Sequence, residues 1–534
     1  MRWYLIFFLL YAGTCFGQTE HARIYFIEKA NTAEVLQNPQ SILSEKAVQR
    51  KELRGTPMDH RDIPVDEEYI SALKNMNGIQ VLAKSKWFNC AHVLGERAKI
   101  EELADLDFVE SVVFESDNRN SDRTTQKPLL KNKLEVTPKF KYGLAETQVK
   151  MLGVDHLHNY NFSGQGMTIA VMDAGYPGVD KATGFARLRG AGKLLGGYDF
   201  TTRSINYTNP SRHNHGTMVL STMAGFIKDQ FAGTAPDASY YLFITEVAAT
   251  ETPVEESYWV EAAERADSLG VDIINTSLGY SLFDDPKYHY SPEDMDGVTA
   301  FISKGANMAL EKGILVISSA GNSGNAEYFH TVGAPADASG LTVGAVSPTE
   351  TYASFSSRGP TADGRVKPDV AAQGMDVTVI NENNQFLQVN GTSFSSPLMA
   401  GAAASFWQIN PEWTNLEVLE MVRELAHLYA NPNVFLGLGI PDFSLSPDFK
   451  TEVEIIEKTG LELFVYPNPV EDFLKIGNFK NDPYTLRLFD ITGRLLYITD
   501  QNQKEIDLSG FSRGIYIAMF EKNNSKKSFI LIKK

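Results

Sequence analysis

The sequence predicts an α/β protein. A central three-layer domain, with a parallel sheet between helices, follows a small α+β unit and precedes a β-sandwich. Three observations carry that prediction. Between residues 141 and 447, short and nearly continuous apolar runs alternate with helical spacings, the pattern of strands buried on both faces and joined by helices. Residues 18–140 mix strand-like runs with one helical stretch. After 461 the apolar residues alternate with period two, and no helix of useful length follows.

In the central domain the strands are MTIAVMD (167–173), SYYLFIT (239–245), VDIINTSLG (271–279), GILVISSAGN (313–322) and LTVGAV (341–346). SYWVEAAERADSLG (257–270) and TAFISKGANMALEKG (299–313) carry apolar residues at helical spacing. In the first unit, ARIYFIEKA (22–30) and FVESVVFES (108–116) are strand-like, and residues 98–105 place Ile100, Leu103 and Ala104 on one helical face. GIQVLAKSKWFNCAHVL (78–94) predicts paired strands. SDNRNSDRTTQKPLLKNK (116–133) has no apolar period and reads as a linker open to proteolysis. In the last segment, 461–534, hairpins are expected around LFVYPNPVEDFLKIGN and YTLRLFDITGRLLYITD, the latter turning at Asp490-Ile491-Thr492-Gly493.

The 534 residues exceed one ordinary core, and 43% hydrophobic residues with 22% charged is the composition of folded protein. A formal net charge of -17 argues against a nucleic-acid partner, which needs clustered Lys and Arg. The opening MRWYLIFFLLYAGTCFGQTE gives a basic Arg2, an apolar stretch over 3–12 and small residues to Gly17. That order predicts a signal peptide at 1–17, too short to span a bilayer. Cys15 within it is a rival lipidation site, which Thr14 in front argues against. The only other cysteine is Cys90, so export proceeds without an intramolecular disulfide.

Open α/β sheets bind ligands beyond the carboxyl ends of their strands, which directs attention to the polar residues ending each run. Asp173 ends MTIAVMDAG, Asn322 ends GILVISSAGN, and VNGTSFSSP (389–397) leads into the small-residue run LMAGAAASFWQIN. Pro397 is expected to open that helix, with the serines just before it beside free N–H groups. A serine there is ordinarily a cap; nucleophilic work needs a base and a carboxylate to orient that base. His215, in HNHGTMVLSTMAG, is the candidate base, and His213 its local rival.

DAG at Asp173, HGTMV at His215, SSAGN at Asn322 and GTSFSSP at Ser393 resemble, in that order, the four signature motifs of the subtilisin-like serine proteases. SRGP (357–360) and KPDVAA (367–372) resemble further segments of the same family, over about 300 residues in all. The resemblance implies a subtilisin-like fold and a secreted serine endopeptidase. Ser393 is then the nucleophile, His215 the general base, Asp173 its orienting carboxylate and Asn322 an oxyanion donor. Ser395 and Ser396 are left to cap or pack. Three positions depart from the usual motif: Ala174 after the aspartate, Met218 after the HGT, and Phe394 after the nucleophile. None carries proton transfer, so altered packing is expected there. A catalytically silent scaffold acting as a cell-surface binding protein is the competing reading.

NTSLG (275–279) resembles the family segment that pairs with extended substrate, making Ser277, Leu278 and Gly279 candidates for binding. The chemistry implied requires no cofactor. Asp284, Asp285, Glu293, Asp294 and Asp296 crowd the insert at 280–297, where a structural calcium is possible and a solvated loop is the alternative. By position, 18–140 resembles an inhibitory propeptide removed by self-cleavage. VYPNP, DITGR, SRGIYI and the lysine-rich end resemble the sorting domain of the type IX secretion pathway. The implied partners are protein or peptide substrates, the chain's own propeptide and the outer-membrane secretion machinery. The implied destination is the cell surface or the medium.

Overall fold

The computed structural model describes residues 19–30, 32–117, 140–449, 463–466, 470–478, 483–500, 503–522 and 525–533. The expected signal segment and most of the expected linker lie outside them. The chain divides into two compact units near residue 444.

Seven strands form one parallel sheet at the centre of the first unit. Their order across it is Val370–Gln373, Leu341–Val346, Leu315–Ser319, Ile273–Thr276, Thr168–Asp173, Ser239–Ile244 and Leu194–Asp199. Every residue of the first five is buried, which is why each reads as an unbroken apolar or small-residue run. The last is an edge strand in which only Asp199 is buried, and its LLGGYD has no run to recognise. Helices Val254–Leu269 and Phe301–Glu311 match their predicted positions.

One prediction fails at the helix that follows GTSFSSP. It spans Thr392–Trp407, so Pro397 lies inside it and does not open it. Ser393 is the second helical residue, where the N–H still lacks a partner within the helix. The start is set by Gly391, whose φ of 149° favours glycine.

Residues 19–114 form a four-stranded antiparallel sheet in the order Ile79–Ser85, Cys90–Glu96, Thr19–Phe26, Val109–Phe114. The predicted pairing within 78–94 is present, with Lys84 opposite Ala91 and Ser85 opposite Cys90. Cys90 is free and buried, and burial pushes its thiol up to about 12. One face of this sheet covers its own core of Ile24, Leu73, Val93 and Ile100. Ala83, Trp87 and Cys90 instead join the core around Trp259 and Phe301 of the two long helices.

The second unit holds two antiparallel sheets. Leu463–Tyr466, Phe473–Asn478 and Glu505–Asp507 make one; Leu495–Thr499, Thr485–Asp490, Gly514–Lys522 and Ser525–Lys533 make the other. Leu474 and Ile476 from the first pack with Leu486, Leu488, Phe520 and Leu531 from the second, which makes the unit a sandwich around one core.

Candidate active site

Thr168–Asp173 and Ile273–Thr276 are neighbours at which the strand order reverses, and both point their carboxyl ends to the same edge. Asp173 is the last residue of its strand and fully buried. Its Oδ1 accepts the Ala174 N–H at 2.7 Å, so the residue that departs from the family motif still supplies a backbone donor. His215 begins the helix His215–Ala224, and its Nδ1 lies 2.9 Å from Asp173 Oδ1 and 3.0 Å from Oδ2. Gly216 permits this approach: a Cβ there would stand 2.9 Å from the Asp173 Cβ and 2.6 Å from the Gly175 carbonyl oxygen.

Burial works to lower the His215 pKa. The charge and hydrogen bond of Asp173, with the charge of Glu246, outweigh it, and the net shift is upward. Glu246 was not singled out from sequence; it lies two residues beyond Ile244, the partner of Asp173 on the adjacent strand. Burial first, then repulsion from Asp173, pushes its carboxyl up to about 7. The rival His213 accepts a hydrogen bond from the His215 backbone N–H at 3.2 Å, and Asp173 is spent on His215.

The His215 ring lies 5.5 Å, centroid to centroid, from that of Phe394, which places the imidazole against the first turn of the serine helix. Phe394 thus packs on the base. Ser393 is half-buried beside it. Among the described residues Ser393 Oγ and His215 Nε2 have no hydrogen bond, and such contacts tighten when substrate binds.

Asn322 sits just past strand Leu315–Ser319. Its Oδ1 accepts from Thr392 N at 2.9 Å and Thr392 Oγ1 at 3.0 Å, which turns its Nδ2 donor away from that pair. Asn322 and Ser393 line a cavity of about 180 Å³ together with Ser277, Leu278 and Gly279. Phe329 and Ala320 supply apolar wall, and none of the lining residues is charged. Candidates from three separated segments therefore line one cavity, and the Asp173–His215 pair lies against the helix that carries Ser393. Ser395 and Ser396 turn inward: Ser395 Oγ donates to the Thr392 carbonyl and Ser396 Oγ to Asn275 Oδ1.

The acidic residues of 280–297 are spread among local turns. Asp285 accepts from Lys287 N, Asp294 from Ser291 N and Oγ, Asp296 from Val298 N and Thr299 N, and Asp284 from Glu251 N. Among the described residues no three His, Cys, Asp or Glu side chains converge as a metal site would require.

A buried carboxylate orienting an imidazole beside a helix-borne serine, with amide donors at hand, is the equipment of a serine hydrolase. The model of the subtilase family, Peptidase S8, matches residues 164–439, just over half of the chain, and the chain belongs to that family. A Peptidase S8 propeptide domain of Bacteroidota matches 21–131, and a secretion system C-terminal sorting domain matches 464–534. Subtilisin E of Bacillus subtilis (strain 168) is 29% identical over 303 residues, 56% of this chain and 69% of that protein. Subtilisin of Bacillus pumilus is 28% identical over 56% of this chain and 95% of its own. A solved cold adapted subtilisin-like serine proteinase aligns at 23% identity and TM-score 0.40, covering 53% of this chain and 89% of that one. The chain is thus a serine endopeptidase with a propeptide domain before the catalytic domain. Its sorting domain directs it across the outer membrane, to the cell surface or the medium.

Proposed function

We propose that this chain is an exported zymogen whose Ser393, His215 and Asp173 hydrolyse peptide bonds through an acyl-enzyme. The observation that carries the reading is the hold of Asp173 on His215 Nδ1, which fixes the tautomer and leaves Nε2 without a partner on the serine side. Ser393 Oγ attacks the substrate carbonyl carbon as His215 Nε2 takes its proton. The oxyanion accepts from Asn322 Nδ2 and the Ser393 N–H. His215 then gives the proton to the leaving amine. In the second half His215 deprotonates a water, which attacks the ester carbon, and the proton returns to Ser393 Oγ. The uncharged cavity beside Ser393 takes an uncharged substrate side chain, with Ser277, Leu278 and Gly279 along its rim.

The propeptide domain is the inhibitor in this reading, and the chain removes it by cutting within 117–146. A fluorophosphonate reporter labels Ser393 once the chain has matured, and Ser393→Ala neither labels nor matures by itself. Labelling at another residue, or unaided maturation of Ser393→Ala, overturns the assignment. Failure of the intact chain to label at all would favour the silent scaffold. Asn322→Ala lowers kcat by on the order of a hundred- to a thousandfold with little change in KM, a magnitude measured for one such donor in subtilisin itself.

A further inference from the structure

The helix that carries Ser393 has a defect at its most sensitive point. Pro397 lies in its sixth position and has no N–H, so it gives nothing to the carbonyl four residues earlier, and its ring crowds that carbonyl outward. That carbonyl belongs to Ser393. Left alone in a buried first turn, it would be an unsatisfied acceptor on the residue whose hydroxyl must be placed most accurately.

The replacement donor comes from another element. Ser277, just past the end of strand Ile273–Thr276, donates its Oγ–H to the Ser393 carbonyl at 2.9 Å. Ser277 Oγ itself accepts from Asn275 Nδ2 at 3.0 Å, and Asn275 Oδ1 accepts from Ser396 Oγ at 2.9 Å. Asn275 and Ser396 are fully buried and Ser277 is 4% exposed, so water does not compete for these bonds. Two residues of one strand end therefore grip the first turn of the helix at Ser393 and at Ser396. Ser277 also lines the cavity beside the nucleophile, so one side chain joins the cavity wall to the backbone of Ser393.

We infer that Ser277, held by Asn275, is a positioning residue for Ser393: its hydroxyl replaces the helix hydrogen bond that Pro397 cannot make and sets the direction of the nucleophile. This assignment is distinct from a role of the 277–279 backbone in gripping substrate, and it rests on the reading of Ser393 as nucleophile. It predicts a specific interdependence. With alanine at 397 the helix recovers its own N–H donor, and the Ser277 hydroxyl becomes dispensable.

The test uses the full-length chain as wild type, Ser277→Ala, Pro397→Ala and the double variant. Chains that do not mature alone are matured with added wild-type enzyme. Active sites are counted with a fluorophosphonate, and turnover is measured on a peptide p-nitroanilide with phenylalanine before the scissile bond. Ser277→Ala is expected to lower kcat about tenfold, the size of one lost hydrogen bond, with KM within about twofold. The double variant is expected to match Pro397→Ala within about twofold, a coupling that a general loss of stability would not produce. An equal loss from Ser277→Ala in both backgrounds, or a loss confined to KM, overturns the proposal. If Ser277→Ala does not fold, Ser277→Thr and Ser277→Cys decide. Threonine keeps the hydroxyl and should retain kcat, while the weakly donating thiol should lose it; the reverse order overturns the proposal. Failure of the nucleophile reading shows separately, as fluorophosphonate labelling that survives Ser393→Ala.

Discussion

Among the described residues, the propeptide domain meets the catalytic domain at two places built on different physics. At one, the helix Glu45–Leu53 and the residue after it present Arg50, Lys51 and Arg54 to the carboxylates of Asp267 and Asp272. Arg50 and Lys51 share Asp267; Arg54 reaches Asp272 Oδ1 at 2.5 Å, and Lys46 reaches its Oδ2 at 3.0 Å. Lys312 of the catalytic domain returns the contact, at 2.8 Å from Asp62 of the propeptide domain. At the other place, the sheet lays Trp87 and Phe88 on the long helices, with Phe88 and Phe301 ring centroids 4.9 Å apart. One carboxylate there, Glu264, accepts from neutral donors: Ser85 Oγ at 2.5 Å, Trp87 N at 2.9 Å and Lys86 N at 3.0 Å. The sheet contact gains its stability from area, while the helix contact depends on complete charge pairing. Burying apolar surface tolerates small errors, whereas a buried charge that loses its partner is strongly unfavourable.

That contrast is broken most directly at Asp267. Asp267→Ala leaves Arg50 and Lys51 buried with less counter-charge, and uncoupling of this kind costs about 3–5 kcal/mol. In the full-length Ser393→Ala chain, amides of Glu45–Leu53 should then exchange with solvent roughly a hundredfold faster or more. A change below about tenfold would show that the ionic contact contributes no more than an ordinary hydrogen bond. Glu264→Gln is the matching change at the sheet. It keeps one acceptor and turns an amide N–H towards a backbone donor, a loss of about 1–2 kcal/mol. Exchange in Cys90–Glu96 should rise roughly tenfold, with Glu45–Leu53 unaffected.

The same contrast explains what the sequence disclosed. Elements buried by area were legible: the fully apolar strands, the long helices and the 78–94 hairpin all announce themselves by period. The basic helix did not, because its buried positions are Ala47, Arg50 and Lys51, which in sequence read as a solvated face. Its partners Asp267 and Asp272 were equally hidden, the first within a predicted helix. At the active site, motif order alone points to Asp173, His215, Asn322 and Ser393 as one group. Pro397 misled because proline ordinarily marks a helix start, and here the interruption falls inside the helix and is relieved by Ser277. No local pattern encodes that relief, since its donor and acceptor lie on different elements far apart along the chain.

The finest separation between the two contacts is by pH. Burial would raise Asp267, but Arg50 and Lys51 outweigh it and hold its carboxyl at about 2. A depressed acid adds stability that is complete above its ordinary value near 4 and is lost only as pH falls towards 2, so the helix contact is unchanged between pH 7 and 5. The sheet contact holds a histidine pair, half-buried His21 and buried His92, with His21 Nδ1 2.9 Å from His92 Nε2 and His92 Nδ1 2.8 Å from Ser257 Oγ on the catalytic domain. Burial, reinforced by Lys287, lowers His21 to about 4, and burial likewise drives His92 well below its ordinary value. A depressed base adds stability that is complete above about 6.5 and drains away as pH falls from there towards the lowered value, about 4 for His21. Glu264, which burial pushes up to about 7, acts in the opposite sense and gains stability on the same acidification. The measurement therefore belongs in the Glu264→Gln chain, from which that opposing carboxyl is removed. Between pH 7 and 5, exchange in Cys90–Glu96, corrected for its intrinsic pH dependence, should rise several-fold while that in Glu45–Leu53 stays level. A parallel rise in both segments would mean that the two contacts open as one unit, and the distinction between them would lose its consequence for how the propeptide domain departs.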